Sequence, residues 1–308
     1  MPMKPKWIAL TDQRNDEIVV LDLSSKDFAD PVWRWSPTGR GDLSYPGEKN
    51  RRLDSFTLRK VNAGLFHGPV AGVTKSGGMV AVVEYPSGKC LFNVDASGYG
   101  PHDIDILPNG CVAVACSGNG NAAMAELRVY RAGTKDEDAR VSVPLPGVHG
   151  VLWDPSLEIL WCLSYSELRA YRISLSFEGM PILSRVKDRG VGGLRSGYCL
   201  SPVYGAPDRL WITDADGVYQ YSKSMDTFCD GYPGKSKVCI PSVKSINSYA
   251  DGTLVMTVAD GKRNATAPHN TDTVRILVPD KTGEYVSRDL KFENRDFYKV
   301  RIFDPSYQ

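Results

Sequence analysis

His102, His149, Tyr198 and Lys244 stand 47, 49 and 46 residues apart, each at the start of a run that reads as a β-strand. Between them, imidazole, phenol and amine can take up a proton, give one and hydrogen-bond to oxygen, as general acid–base chemistry on a small molecule requires. The chain has only four histidines. One of them, in "PGVHGVLWDP", lies between Gly147 and Gly150, where glycine lets a turn approach its neighbours closely. Apolar residues would pack as well at all four positions. The four side chains therefore read either as a polar plug satisfied by one another and by buried water, or as a pocket where acid, base and donors converge on a ligand.

The elements that must position them are strands. Short runs rich in Val, Ile, Tyr and Trp recur between Gly, Pro, Asn and Asp turn signals, and helical periodicity is scarce. A four-beat unit repeats along the chain. It is clearest as "HDIDILPNG", "CVAVACSG", "ELRVYRAG" and "ARVSVPLPG", then as "HGVLWDPSL", "EILWCLSY", "ELRAYRIS" and "PILSRVKD". Fifth and sixth units follow, beginning "GYCLSPVYG" and "KSINSYADG", and the second is looser, preceded by an irregular stretch from Thr38 to Val70. The first unit begins at its second beat with "KWIALTDQ", so the last segment, "FYKVRIFDP", supplies its missing strand. Pairing the two termini removes the sheet edges an open array would expose. The expected architecture is all-β: a six-bladed β-propeller of four-stranded blades, closed by the N- and C-terminal strands, with residues 1–308 as one domain.

In such a ring the first strand of each blade is innermost, and the residues entering it meet around one hole. Tyr298 or Lys299 would join the four from the closing strand. The sixth blade connects its second and third strands through "ADGKRNATAPHNTDT", longer than its counterparts, and long loops on compact scaffolds tend to cover sites. His269 in that loop is a further candidate ligand contact. The stretch 38–70 is a second possible cover, bringing Arg40, Lys60 and His67.

Three imidazoles could hold zinc with one position open. Here Tyr and Lys rather than carboxylates share the ring, and a lysine cation disfavours a metal, so no metal is expected and no cofactor is required. "SGNGNAAM" is glycine-rich, but no helix follows to cradle phosphate. Asp103 could orient the His102 imidazole or point to the other side of its strand. The net charge is +1 with no basic cluster interleaved with aromatics, which argues against nucleic acid and anionic membranes as partners. The start, "MPMKPKWIALTDQ", lacks a secretory pattern, and a cytoplasmic protein is expected. The seven cysteines, with no CxxC pair, read as reduced core thiols. The sequon at Asn264 carries little weight without a secretory signal.

"PHDIDILPNGCVAVACS", "HGVLWDPSLEILWCLSYSELRAY", "LWITDADGVYQYS" and "VKSI" resemble an uncharacterised bacterial and fungal β-propeller family over most of the chain, most weakly in 38–70. In that family a Gly-His-Asp motif opens blade five, whereas the matching stretch here is "RSGYCLSP", with Tyr198 in place of histidine. The chain is also similar to the fungal hetero-Diels–Alderases of tropolone–sesquiterpenoid biosynthesis, and propellers of similar layout include uronate lyases. The likeness to the hetero-Diels–Alderases implies a cytoplasmic, cofactor-independent enzyme of fungal specialised metabolism. It would dehydrate its substrate to a quinone methide, which then undergoes cycloaddition with a polyene. His149 and His102 would exchange the proton, while Tyr198 and Lys244 polarise oxygen. A uronate lyase or glycosidase and a non-catalytic interaction ring are the alternatives.

Overall fold

The computed structural model describes residues 5–25, 28, 30–43, 52–133, 140–261 and 268–307. Asn264 and the centre of the long sixth-blade loop lie outside the described residues.

Each repeat closes into a four-stranded antiparallel sheet, and there are six of them. The inner strands of blades two to six are Leu53–Ala63, Pro101–Ile106, Gly150–Asp154, Cys199–Pro202 and Val243–Ser248. Blade one takes its inner strand, Phe297–Ile302, from the end of the chain and its other three, Trp7–Asp12, Glu17–Asp22 and Trp33–Trp35, from the start. The ring is closed by Ile8 facing Ile302 and Leu10 facing Val300. Residues after this strand strengthen the closure. Phe303 stacks on Phe56 of blade two at 5.7 Å and meets the Tyr85 ring edge-on at 5.1 Å.

Apolar residues of facing sheets fill the wedges between blades. Ile104, Val112 and Val114 of blade three pack on Val80, Val82 and Phe92 of blade two. Leu152, Trp161 and Leu163 of blade four pack on Leu200, Leu210 and Ile212 of blade five. This accounts for strands such as "CVAVAC" and "ILWCL", buried at every position: a blade in the middle of a ring has no solvent face. The fifth blade ends in a strand of two residues, Thr227–Phe228, as its short fourth beat suggests.

The stretch read as irregular before blade two is regular from Leu53 onward. It holds an inner strand of 11 residues and the first half of its partner, Phe66–Lys75. A bulge at Asp54 shifts the register between Leu53 and Ser55. The extra residue breaks the period-two alternation that would mark a strand. Ser55, Thr57 and Arg59 also face the polar shaft of the ring rather than an apolar wedge.

Among the described residues no helix is long and apolar enough to cross a membrane.

Candidate functional site

The channel mouth is built by one device used repeatedly. His102 and Lys244 each sit at a bulge where their strand shifts register against its neighbour, and so does Asp54. A bulge re-aims the side chain of its extra residue. His149 and Tyr198 stand one residue ahead of their strands, their N–H groups donating to the carbonyls of Leu163 and Thr213, both at 2.8 Å. On the closing strand the register skips across Tyr298 and Lys299. Asp54, His102, His149, Tyr198, Lys244 and Tyr298 thus hold equivalent places on the six blades.

His102 and His149 lie together, with ring centroids 4.6 Å apart. His149 stacks on Tyr165 at 5.5 Å and meets the ring of Tyr198 at 6.4 Å, nearly edge-on. The Lys244 Nζ lies 3.3 Å from the Tyr198 ring centroid. His149 Nδ1 is 2.9 Å from the carbonyl oxygen of Gly147. That oxygen can only accept, so Nδ1 carries the proton and Nε2 is left as a base. The close turn needs its glycines. A Cβ on Gly147, at φ +62°, would fall into the Tyr165 ring, and one on Gly150 would lie 2.8 Å from Leu200 Cβ.

Both imidazoles are neutral at physiological pH. Burial, assisted by the Lys299 cation, pushes His102 down to about 3. Burial and then the neighbouring His102 hold His149 well below the ordinary histidine value. Lys244 is 4% exposed. No carboxylate lies within ion-pairing distance of it among the described residues, and burial alone pushes it down to about 8. Tyr298 is buried and held well above the ordinary phenol value by that burial and then by Asp54.

Asp54 is the ring member that sequence reasoning missed, although it lies 48 residues before His102 and so fits the repeat. Its carboxylate accepts the Ser76 N–H at 2.6 Å and lies 3.7 Å from His102 Nδ1, which has no hydrogen-bond partner among the described residues. Gln13 donates to Asp54 at 3.4 Å, and its own side-chain oxygen accepts from Asn270 at 3.0 Å. Thr271 pairs with Phe297. These contacts bring the end of the sixth-blade loop to the mouth. His269 there keeps much of its surface in solvent, and partial desolvation of its ring, then the field of Lys244, lowers its basicity.

The structure does not bring Arg40, Lys60 or His67 to this face. Lys60 is six residues beyond Asp54 along one strand, about 20 Å away. His67 pairs with Asn62 across the same hairpin, whose turn packs on the opposite face, against Gly110 and Ala132. Arg40 sits at the outer edge of blades one and two, over Trp35 and paired with Asp42 at 3.0 Å.

Beneath the mouth the shaft is stoppered by charge. Asp103 turns away from the His102 imidazole and accepts from Arg301 Nη2 at 3.2 Å on each oxygen, from Ser55 Oγ and from the Val151 N–H at 3.2 Å. Lys299 Nζ lies 3.7 Å from it and donates to the His102 carbonyl at 3.1 Å. One layer further in, Arg59 pairs with Asp105 at 2.8 Å. The space left in the shaft is a cavity of about 30 Å³, room for water but not for substrate. The residues that fill the shaft are Asp103, Arg301, Lys299, Arg59 and Asp105, a set distinct from the four mouth residues singled out in the sequence.

Six four-stranded blades around a filled shaft, with titratable side chains collected at one mouth, define a six-bladed β-propeller. The chain belongs to DUF6528, a family of unknown function, whose model matches residues 3–265. Among solved structures it is similar to a protein of unknown function from Bacteroides caccae, at 13% identity and a TM-score of 0.58, over 96% of this chain and 98% of that one. The WD40 β-propeller domain of Doa1 is similar at 12% identity and a TM-score of 0.55, over 91% and 77% of the two chains. Likeness at these identities concerns the fold alone. No functionally curated protein matches the sequence.

Proposed function

We propose that the channel mouth binds a small aromatic molecule bearing oxygen functions and catalyses its proton transfers with side chains alone. The observation that carries this reading is the grouping of two neutral imidazoles at 4.6 Å with a buried amine that has no carboxylate partner among the described residues. A purely structural ring would pair its charges, because an unpaired buried charge is costly; the shaft below does pair them. His149 Nε2 is the base, His102 exchanges the proton with it, and Tyr198 and Lys244 polarise the substrate oxygen. The Tyr165 and Tyr198 rings supply faces on which an aromatic substrate can stack.

The narrower reading is dehydration of an ortho-hydroxybenzyl alcohol followed by hetero-Diels–Alder cycloaddition with a polyene. The phenol gives its proton to His149, the benzylic hydroxyl takes one from the donor side and leaves as water, and a neutral quinone methide remains. Cycloaddition then requires only orientation. Neutral donors and acceptors suit a reaction whose substrate and intermediate are uncharged. A uronate lyase ranks second. Its substrate carboxylate would find Lys244 but also Asp54 at the mouth, and Lys299 and Arg301 are already committed to Asp103.

The test is oxygen exchange. ortho-Hydroxybenzyl alcohol carrying ¹⁸O in its benzylic hydroxyl is incubated with the protein in ordinary water, and loss of label reports reversible dehydration without needing the natural trapping partner. Accelerated loss is expected, and it should persist as the pH falls through 6.5, where an ordinary imidazole protonates, because burial holds both rings below that value. Label retained at the uncatalysed rate across a panel of such alcohols would refute the reading.

A further inference from the structure

Lys244 offers more than a cation. Its side chain enters the mouth from a bulge, with its Nζ packed on the face of Tyr198 at 3.3 Å. It is 4% exposed, and no hydrogen bond or ion pair to a described residue fixes the ammonium. The other buried lysines are anchored: Lys75 to Asp16 at 2.6 Å, Lys223 to Asp154 at 2.7 Å, and Lys299 to Asp103 and the His102 carbonyl. Among the described residues the ammonium is held only by the Tyr198 ring face, a weaker partner than the carboxylates that anchor the other three, and once deprotonated the free base is a nucleophile.

From this placement we infer that Lys244 condenses with an aldehyde or ketone bound at the channel mouth, forming an imine. The inference rests on the reading of the mouth as a small-molecule site and adds a substrate class to it. The amine lone pair forms the new C–N bond, and the carbonyl oxygen becomes the hydroxyl of a carbinolamine. That hydroxyl takes a proton and leaves as water, and the nitrogen lone pair completes C=N; one water is released and nothing is oxidised or reduced. His149, which meets the edge of the same Tyr198 ring, is placed to pass these protons and to remove one from the carbon next to the protonated imine. Hydrolysis restores the amine.

Burial supports the same conclusion from the other side. At pH 7 an amine titrating at about 8 carries on the order of a few hundredfold more free base than a lysine at 10.5.

The experiment uses pentane-2,4-dione at low excess over the full-length protein, with the adduct located by peptide mass. A single vinylogous amide on Lys244 is expected, absent from Lys244→Met and from Lys244→Arg, each checked for folding by circular dichroism. Labelling spread over exposed lysines such as Lys187 and Lys281 while Lys244 stays unmodified would overturn the inference. Oxygen exchange is read on the same samples. Exchange without a Lys244 adduct removes the imine and keeps the acid–base site, whereas an adduct without exchange keeps the imine and removes the proposed dehydration.

Discussion

Replacing His149 with alanine should slow oxygen exchange from ortho-hydroxybenzyl alcohol by about 10²–10⁴-fold, the usual worth of a positioned acid–base group, while the propeller still folds. The side chain is buried against Tyr165 and His102 and bonds the Gly147 carbonyl, so alanine also leaves a cavity, and folding is checked by circular dichroism before the rates are compared. His149→Gln is the sharper variant, since it keeps polarity and some of the volume while removing the base. His102→Ala should fall less far if His102 only relays the proton. Steady-state kinetics separate the roles: loss confined to kcat marks a group acting in the transition state, whereas loss in KM alone marks a binding contact. Exchange within a few-fold of the parent in His149→Gln would show that the base lies elsewhere.

The second large effect is on stability. Asp103→Asn should destabilise the propeller by about 3–5 kcal/mol, the cost of breaking a buried ion pair from one side. Asp103 is 2% exposed. Burial pushes its carboxyl up, but Lys299 and Arg301 outweigh burial and hold it ionised. The amide would leave those two cations deep in the ring without the carboxylate they share, on the strand that closes it. Urea unfolding should show a lower midpoint with an unchanged slope. Adding Lys299→Met should recover part of the loss, because the two substitutions share one network. An Asp103→Asn midpoint close to the parent would mean that the shaft does not depend on this carboxylate.

The ring was legible in the sequence because blades repeat. Turn signals cut the chain into beats of similar length, and the matched runs "ELRVYRAG" and "ELRAYRIS" show the periodicity directly. Spacing then placed His102, His149, Tyr198 and Lys244 at one mouth, and the missing first beat foretold the closing strand. Asp54 escaped because the bulge that aims it also breaks the alternation of its strand. Lys60 and His67 were placed at the mouth for the same reason: with strand Leu53–Ala63 unrecognised, nothing indicated that the chain had crossed to the other face. Periodicity also cannot say which side chains meet across a hole. Asp103 and Arg301 are 198 residues apart, and only closure of the ring reveals that the neighbour of His102 is committed to the shaft rather than to the imidazole.

The proposed chemistry requires that both mouth imidazoles be neutral and that a ligand reach them, and ¹⁵N-histidine NMR of the four histidines, titrated with and without ortho-hydroxybenzyl alcohol, tests this most directly. His102 should remain neutral at pH 5 and His149 should remain neutral through pH 6.5 with its proton on Nδ1, and both should shift on addition of the alcohol. If both instead protonate near pH 6.5 and neither moves with saturating alcohol, the mouth is not the acid–base site described here.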